Sequence, residues 1–388
     1  MRKVYIAGVG MHPFGRFLDK HLKELGAHAF MVALADSGLS PKQIEIAYIG
    51  NAVGGLLTGQ ESVRGQTILR EIGLQGIPIV NVENACASGS TAFYGAWMSV
   101  GSGLYDCALA LGVEKLYCDD TPKTLHALTT NSDVEIEGGM GFMFAGNYAT
   151  KIKRHMYKYG TTREQIAKVV VKSHKNSQHN PYAQYRNLLT VEEVLNSKMI
   201  CDPITLFMTA PIGDGAAAAI LVSEEIAKKL TNPPILVAAT VLRSGFVPNP
   251  QEEDVPDTIE RTAKIAYEIA GLGAKDIDVA EVHDAMATAE IMAYESLGFC
   301  QKGEGGRMVD EGRTDISGEI PVNTSGGLIA RGHPVGATGL GQISEIVWQL
   351  RGEAEKRQVK GARVGLIQNG GGNIGGEPAA MAVHILTR

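Results

Sequence analysis

No basic stripe or Lys/Arg-rich run relieves the net charge of −6 in this 388-residue chain. It therefore lacks the electrostatic footprint of a nucleic-acid partner. No apolar run approaches the roughly 18 residues of a membrane span. The opening "MRKVYIAGVGMHPFG" carries too little apolar content for a secretory leader. A cytoplasmic protein without a membrane partner is expected. The five cysteines (Cys86, Cys107, Cys118, Cys201 and Cys300) are odd in number, widely spaced and free of any CxxC pair. That argues against a disulfide framework and a structural zinc site, so no metal is expected. A G-x-x-x-x-G-K-[ST] phosphate loop is missing too. Aromatics make up only 6% of the residues.

What is present is the composition of a soluble globular protein, 44% apolar and 20% charged. The length suffices for a large core and two or three subdomains. Glycine is abundant, at 47 residues, and clustered, as in tight turns close to ligands. "RKVYIAGVG", "IEIAYIGNAVG", "PIVNVEN" and "YDCALALGVEK" read as buried strands, with "LKELGAHAFMVALADSGLS" and the stretch from Ser88 to about Gly101 as helices. This alternation is that of a layered α/β domain. From Leu116 to Asp202 the texture becomes polar and rich in Met, His and Tyr, as in a long insertion that carries binding. "PIGDGAAAAILVSEEIAKKL" returns to strand and helix, and near Pro234 a second strand–turn–helix series begins. The expected division is one half from 1–115 and 203–233, an inserted loop domain from 116–202, and a second half from 234–388. The halves rhyme, which suggests internal duplication.

Reactive residues fall at strand-to-helix turns, where open α/β sheets place their sites. "NVENACASGSTAFYGAW" sets Cys86 among small residues just before a helix. There the backbone N–H groups and the positive helix end favour a thiolate, and the Cys86 N–H is free to hold an oxyanion. "EVHDAMATAE" places His283 after a strand, and "GGLIARGHPVGATG" places His333 before the helix from Thr338. Two imidazoles can supply a base for the thiol and a donor for a carbonyl oxygen. On these residues alone a cysteine–histidine hydrolase fits as well. "GLIQNGGGNIGGEP" reads as backbone brought close to a ligand carbonyl. Near the C-terminus, and opening no βαβ unit, it is not read as a dinucleotide fingerprint.

Taken jointly, "NACASGS" around Cys86, "LALGVEK" at 109–115, "IGDGAAAAIL" at 212–221, "EVHDA" at 281–285, "GGLIARGHPVGATG" at 326–339 and the glycine loop resemble the thiolase superfamily over essentially the whole chain. The resemblance implies an α/β fold of two similar halves in five layers (αβαβα), with an inserted loop domain that binds CoA. It implies a homodimer or a dimer of dimers, and no permanently bound cofactor, CoA being a co-substrate. Cys86 would attack the keto carbon of a 3-oxoacyl-CoA, and CoA would collect the acyl group. His333 would activate Cys86 and, with His283, polarise a thioester carbonyl. The Cys86 N–H and a glycine amide of the loop, with Gly371, Gly372 and Gly375 as candidates, would form a second oxyanion hole. "GGMGFMFAG" offers Met140, Phe142, Met143 and Phe144 as an acyl-pocket lining suited to a bulky or aryl group, such as that of benzoylsuccinyl-CoA.

Two departures from the family pattern stand out. Many thiolases carry Asn-Glu-Ala-Phe where this chain has His283-Asp284-Ala285-Met286; the histidine version is similar to the sterol-carrier-protein-associated and archaeal-type branches. The second cysteine is also missing, its two usual places holding "QNGGGN" and Ala285, and His283 is the candidate replacement for its proton transfer. The archaeal-type branch implies a small zinc-ribbon/OB-fold accessory protein that helps cradle CoA, since the basic residues here (Lys151, Lys153, Arg154, Lys172, Lys175) are few and scattered. The resemblance leaves open a condensing acetoacetyl-CoA thiolase, a carbon–carbon lyase without an acyl-enzyme, and an acyl-CoA-binding scaffold.

Overall fold

Runs of small and β-branched residues that are buried along their whole length set the architecture. The computed structural model describes residues 1–246 and 255–388. Its strands are β1 (Val4–Gly15), β2 (Ile46–Gly50), β3 (Ile79–Val82), β4 (Cys107–Glu114), β5 (Met199–Cys201), β6 (Ile204–Thr205), β7 (Asp214–Ser223), β8 (Ile235–Ser244), β9 (Val279–Glu281), β10 (Val364–Gly371) and β11 (Ala380–Thr387). β5 and β6 pair only with each other; the other nine form one mixed sheet in the order β3-β2-β4-β7-β1-β8-β11-β10-β9. All ten residues of β7, the run "DGAAAAILVS", are buried. A strand with no polar face must be covered by helices on both sides.

The duplication suggested by the sequence is visible in the strand directions. β1, β7 and β4 run antiparallel in succession and β4 is followed by parallel β2. In the second half β8, β11 and β10 run antiparallel and β10 is followed by parallel β9. The halves meet at a short seam, Tyr5 opposite Leu236 and Ile6 opposite Ile235. Helices α1 (Leu22–Ser37) and α2 (Arg64–Glu71) pack on the outside of the first half. Helices α3 (Ser88–Gly101) and α8 (Thr338–Arg351) lie between the halves in a shared core. Helices α6 (Thr258–Ala270) and α7 (Ala287–Ser296) cover the outside of the second half. Outer helices, first half of the sheet, central helices, second half of the sheet and outer helices thus give the five layers αβαβα expected. Thirteen of the 14 residues of α8 are buried, as a helix covered on every side requires.

The central pair positions the chemistry. Each of α3 and α8 follows a one-turn 3₁₀ segment, Ala85–Ala87 and Val335–Ala337. Their starts touch: a Cβ on Gly89 would lie 2.9 Å from the Gly336 carbonyl oxygen, and one on Gly339 would lie 2.2 Å from Ser90 Oγ. Only glycine permits that approach. The insertion contributes α4 (Phe144–Tyr159) and α5 (Arg163–Ser177), which share a small core with Ile291 of α7 and Ile329. It therefore roofs the second half although its chain leaves the first.

Candidate active site

Cys86 sits in the 3₁₀ turn between β3 and α3, half-buried. The preceding Ala85 has φ +49°, in the left-handed region that a non-glycine residue rarely adopts. Local bonds hold it there: the Ala85 N–H donates to the Glu83 carboxylate at 2.5 Å, and Ser88 Oγ donates to the Ala85 carbonyl at 2.7 Å. The small-residue turn and the helix end favour a thiolate. Instead burial pushes the Cys86 thiol up to about 12; the Gly372 N–H donated to the sulfur opposes this, and the Glu114 charge adds to it. Desolvation outweighs the helix end, so ionisation needs a base.

The base is close. The reactive atoms of Cys86, His283 and His333 all lie within 4.8 Å of one another, and the two rings meet edge to face with centroids 5.2 Å apart. Both imidazoles are neutral. Burial lowers His283 to about 3, helped by the Arg331 charge, and burial lowers His333 well below its usual range, helped by His283 and Arg331. Their hydrogen-bond partners give them opposite tautomers. His333 Nδ1 lies 2.7 Å from Thr338 Oγ1, whose own proton goes to the Pro334 carbonyl at 3.1 Å. His333 Nδ1 therefore carries the hydrogen, and Nε2 presents a lone pair. The Asn369 amide Nδ2 donates to His283 Nδ1 at 3.0 Å, while Asn369 Oδ1 accepts from Ser90 Oγ at 2.8 Å. His283 Nε2 therefore carries a hydrogen and is a donor. With that nitrogen capped by hydrogen, the trio does not suit a metal ion.

Buried carboxylates fix the loops. Glu114, at the end of β4, accepts from the backbone of Ala52 at 2.9 Å and of Gly336 at 3.0 Å, tying the His333 loop to the Cys86 half. Burial pushes it up to about 7. Asp284 accepts from the Leu328 N–H at 2.7 Å, and burial raises it well above the carboxylate range.

The trio lines a cavity of about 1000 Å³, with Tyr148, Leu128 and Ile329 in its walls and Arg16, Lys151 and Lys198 among its cationic lining. Of the four residues offered by the apolar run, Phe142, Met143 and Phe144 line this cavity and Met140 does not. Met140 is 74% exposed and lines a neighbouring pocket of about 600 Å³. Gly371 and Gly372 line the main cavity; Gly375 lies on the neighbouring pocket, and its N–H is taken by Glu137 Oε1 at 2.7 Å, so it is no free oxyanion donor. "GGGNIG" does fit G-x-G-x-x-G by letter, yet it joins antiparallel β10 and β11 and opens no helix. The scattered cations have partners of their own: Lys151 pairs with Glu377, Lys153 with Asp202, buried Lys172 with Glu290, and Lys175 with Asp315. Asn369, Thr338, Glu114 and Tyr148 escaped sequence reasoning. A polar Gln368-Asn369 pair ending an apolar strand was the one available signal.

A Cβ on Gly371 would lie 2.1 Å from the Asn84 carbonyl oxygen and 2.6 Å from the Ala87 nitrogen, backbone atoms on either side of Cys86. Gly371→Ala is expected to slow acyl loading of Cys86 by about 100-fold, read by quenched intact-protein mass spectrometry. A rate near that of the unaltered protein would show that the turn yields without cost.

Residues 4–225 match the family model "Thiolase, N-terminal domain" and residues 251–388 match "Thiolase C-terminal domain-like". The chain belongs to the thiolase family. It is thus an acyltransferase, with CoA as co-substrate and no resident cofactor. It is 44% identical to an acetyl-CoA acetyltransferase of Methanothermobacter thermautotrophicus over 100% of both chains. It is 39% identical to the benzoylsuccinyl-CoA thiolase subunit BbsB of Thauera aromatica over 92% of each. Among solved structures, the Ltp2–ChsH2(DUF35) aldolase superposes with a TM-score of 0.80 at 24% identity, covering 99% of this chain and 97% of that one; at that identity the likeness concerns the fold. Among the described residues no helix is long and apolar enough to cross a membrane.

Proposed function

We propose that this thiolase cleaves a 3-oxoacyl-CoA with CoA through an acyl-enzyme on Cys86. The observation that carries the proposal is the meeting of Cys86 with two imidazoles, one reactive atom of each lying within 4.8 Å of the others; their Nδ1 partners leave a lone pair on His333 Nε2 and a hydrogen on His283 Nε2. His333 Nε2 takes the Cys86 proton as the sulfur bonds to the keto carbon, and the new oxyanion is held by the Cys86 N–H and the Gly372 N–H. The Cα–Cβ bond breaks and its electron pair passes to the α-carbon and the thioester oxygen, which His283 Nε2–H holds. The His333 imidazolium returns the proton to the α-carbon, and the shorter acyl-CoA leaves. The thiol of CoA then gives its proton to His333 and attacks the acyl carbon; Cys86 leaves as thiolate and regains the proton.

One base closes this cycle, which bears on the missing second cysteine. His283 was its candidate replacement, but with Nδ1 accepting from Asn369 it could give up its remaining hydrogen only by becoming an imidazolate. It acts as a fixed donor. A bulky or aromatic acyl group is supported by the apolar cavity of about 1000 Å³ and by the 39% identity to a benzoylsuccinyl-CoA thiolase subunit. The condensing reading, acetoacetyl-CoA formation, is favoured by the 44% identity to an acetyl-CoA acetyltransferase, and the same residues serve both directions. In this reading residues 116–202 form the CoA-binding roof, between halves 1–115 with 203–233 and 234–388, and Arg16 and Lys198 attract the CoA phosphates. The working assembly in this reading is a cytoplasmic homodimer or dimer of dimers beside a zinc-ribbon/OB-fold protein.

Intact-protein mass spectrometry after brief exposure to acetyl-, succinyl-, octanoyl- and benzoyl-CoA tests this, with Cys86→Ala as control. A mass gain absent from the variant is expected, and the best-loading donor identifies the acyl class. No adduct from any donor, with the accessory protein supplied, would refute the acyl-enzyme and favour a lyase or binding protein.

A further inference from the structure

We infer that Glu137 is a positioning residue that clamps the oxyanion-binding glycine turn to the wall of the acyl cavity; the inference rests on the acyl-enzyme reading above. Glu137 is only 7% exposed and lies in a one-turn π-helical segment, Val134–Gly138, a distortion common at functional sites. Its Oε1 accepts from Asn373 Nδ2 at 3.0 Å and from the Gly375 N–H at 2.7 Å, and its Oε2 accepts from the Asp133 N–H at 3.1 Å. The turn it grips has glycines at 370, 371, 372, 375 and 376, three of them at positive φ, so little within it fixes its shape.

Asn373 is the polar handle of that turn, and each of its contacts runs to the same segment. Its N–H donates to the Asn131 carbonyl at 2.9 Å, its Oδ1 accepts from Asn147 Nδ2 at 2.9 Å, and its Nδ2 meets Glu137. Next to it is Gly372, whose N–H touches the Cys86 sulfur. The same segment carries Phe142, Met143 and Phe144 into the cavity. One buried carboxylate thus links the lining that meets the acyl group to the amide that meets its oxyanion.

The test uses the full chain, with kcat, KM, melting temperature and the quenched rate of Cys86 loading by the best acyl donor. Glu137→Ala is expected to lower kcat and the loading rate by about 100-fold while KM stays within about threefold. Glu137→Gln can keep Oε1 as acceptor for Asn373 and Gly375, losing only the Asp133 contact, and is expected to recover to within about fivefold of the unaltered protein. Asn373→Ala removes the partner from the other side and should match Glu137→Ala, with the double variant no worse than either single one. Loading at the unaltered rate in Glu137→Ala, or additive losses in the double variant, overturns the clamp. If Glu137→Ala does not fold, Asn373→Ala and Glu137→Gln decide alone: a slow Asn373→Ala beside a near-normal Glu137→Gln supports the clamp, and any other pattern overturns it. If the unaltered protein forms no adduct, the acyl-enzyme reading fails and this inference with it; if it loads and Glu137→Ala loads equally, only this inference falls.

Discussion

His333→Ala should lower the rate of Cys86 acylation at pH 7 by about 10⁴-fold or more and turn a flat pH profile into a steep one. The thiol is pushed up to about 12 by burial, so at pH 7 about one molecule in 10⁵ carries the thiolate unaided. With His333 present, the proton moves to a neutral imidazole within the site. That imidazole is lowered well below its usual range, so it keeps its lone pair through the neutral range and loses it only as pH falls into the acid region. The unaltered enzyme should therefore load at a near-constant rate from about pH 6 to 9. In His333→Ala the rate must follow the free thiolate, rising about tenfold per pH unit across that span. Quenched mass spectrometry of the acyl-enzyme gives both profiles. A flat profile in the variant, or a loss under about tenfold, would mean that another group takes the proton.

The contrast between what burial does to Cys86 and what its sequence position suggests marks the boundary of sequence reasoning here. The turn at Cys86, the loop at His333 and the buried β7 were legible because each is a local pattern: small residues before a helix, glycines around a histidine, a run of small and apolar residues from Gly215 to Val222. The two-half layering was legible because the pattern recurs. The thiol's protonation state was not, since it follows from the depth at which α3 and α8 abut. Nor were the tautomers, because Asn369 meets His283 across 86 positions and Thr338 looks like a helix start until its hydroxyl is seen against a ring. Gly375 and Met140 line the neighbouring pocket rather than the Cys86 cavity for a related reason. A glycine run or an apolar run says that backbone or side chains come near a ligand, but which member arrives depends on partners elsewhere, here Glu137 for Gly375. Glu137 itself, an acid in a polar insertion, carries no local signal at all.

His283→Ala should divide the reaction in two. Loading of Cys86 by a simple acyl-CoA needs only the oxyanion site made by the Cys86 and Gly372 amides, so it should stay within about tenfold of normal. Cleavage or formation of the carbon–carbon bond develops charge on the thioester oxygen that His283 Nε2–H faces, and that step should fall by about 10³-fold. His283→Asn and His283→Gln discriminate a fixed donor from a proton carrier. An amide N–H can hold an oxyanion but cannot relay a proton, so a donor role predicts that one of the two recovers about tenfold or more over His283→Ala. Asn369→Leu, which frees the tautomer and leaves the ring in place, should lie between the unaltered enzyme and His283→Ala. Exchange of the α-hydrogens of acetyl-CoA with deuterated water, followed by mass spectrometry, reads the same step without a full turnover. If both amide variants are as slow as alanine while His333 still supports loading, His283 must carry the proton itself. The donor from Asn369 to Nδ1 would then have to reverse during the cycle, with Asn369 turning its amide against Ser90.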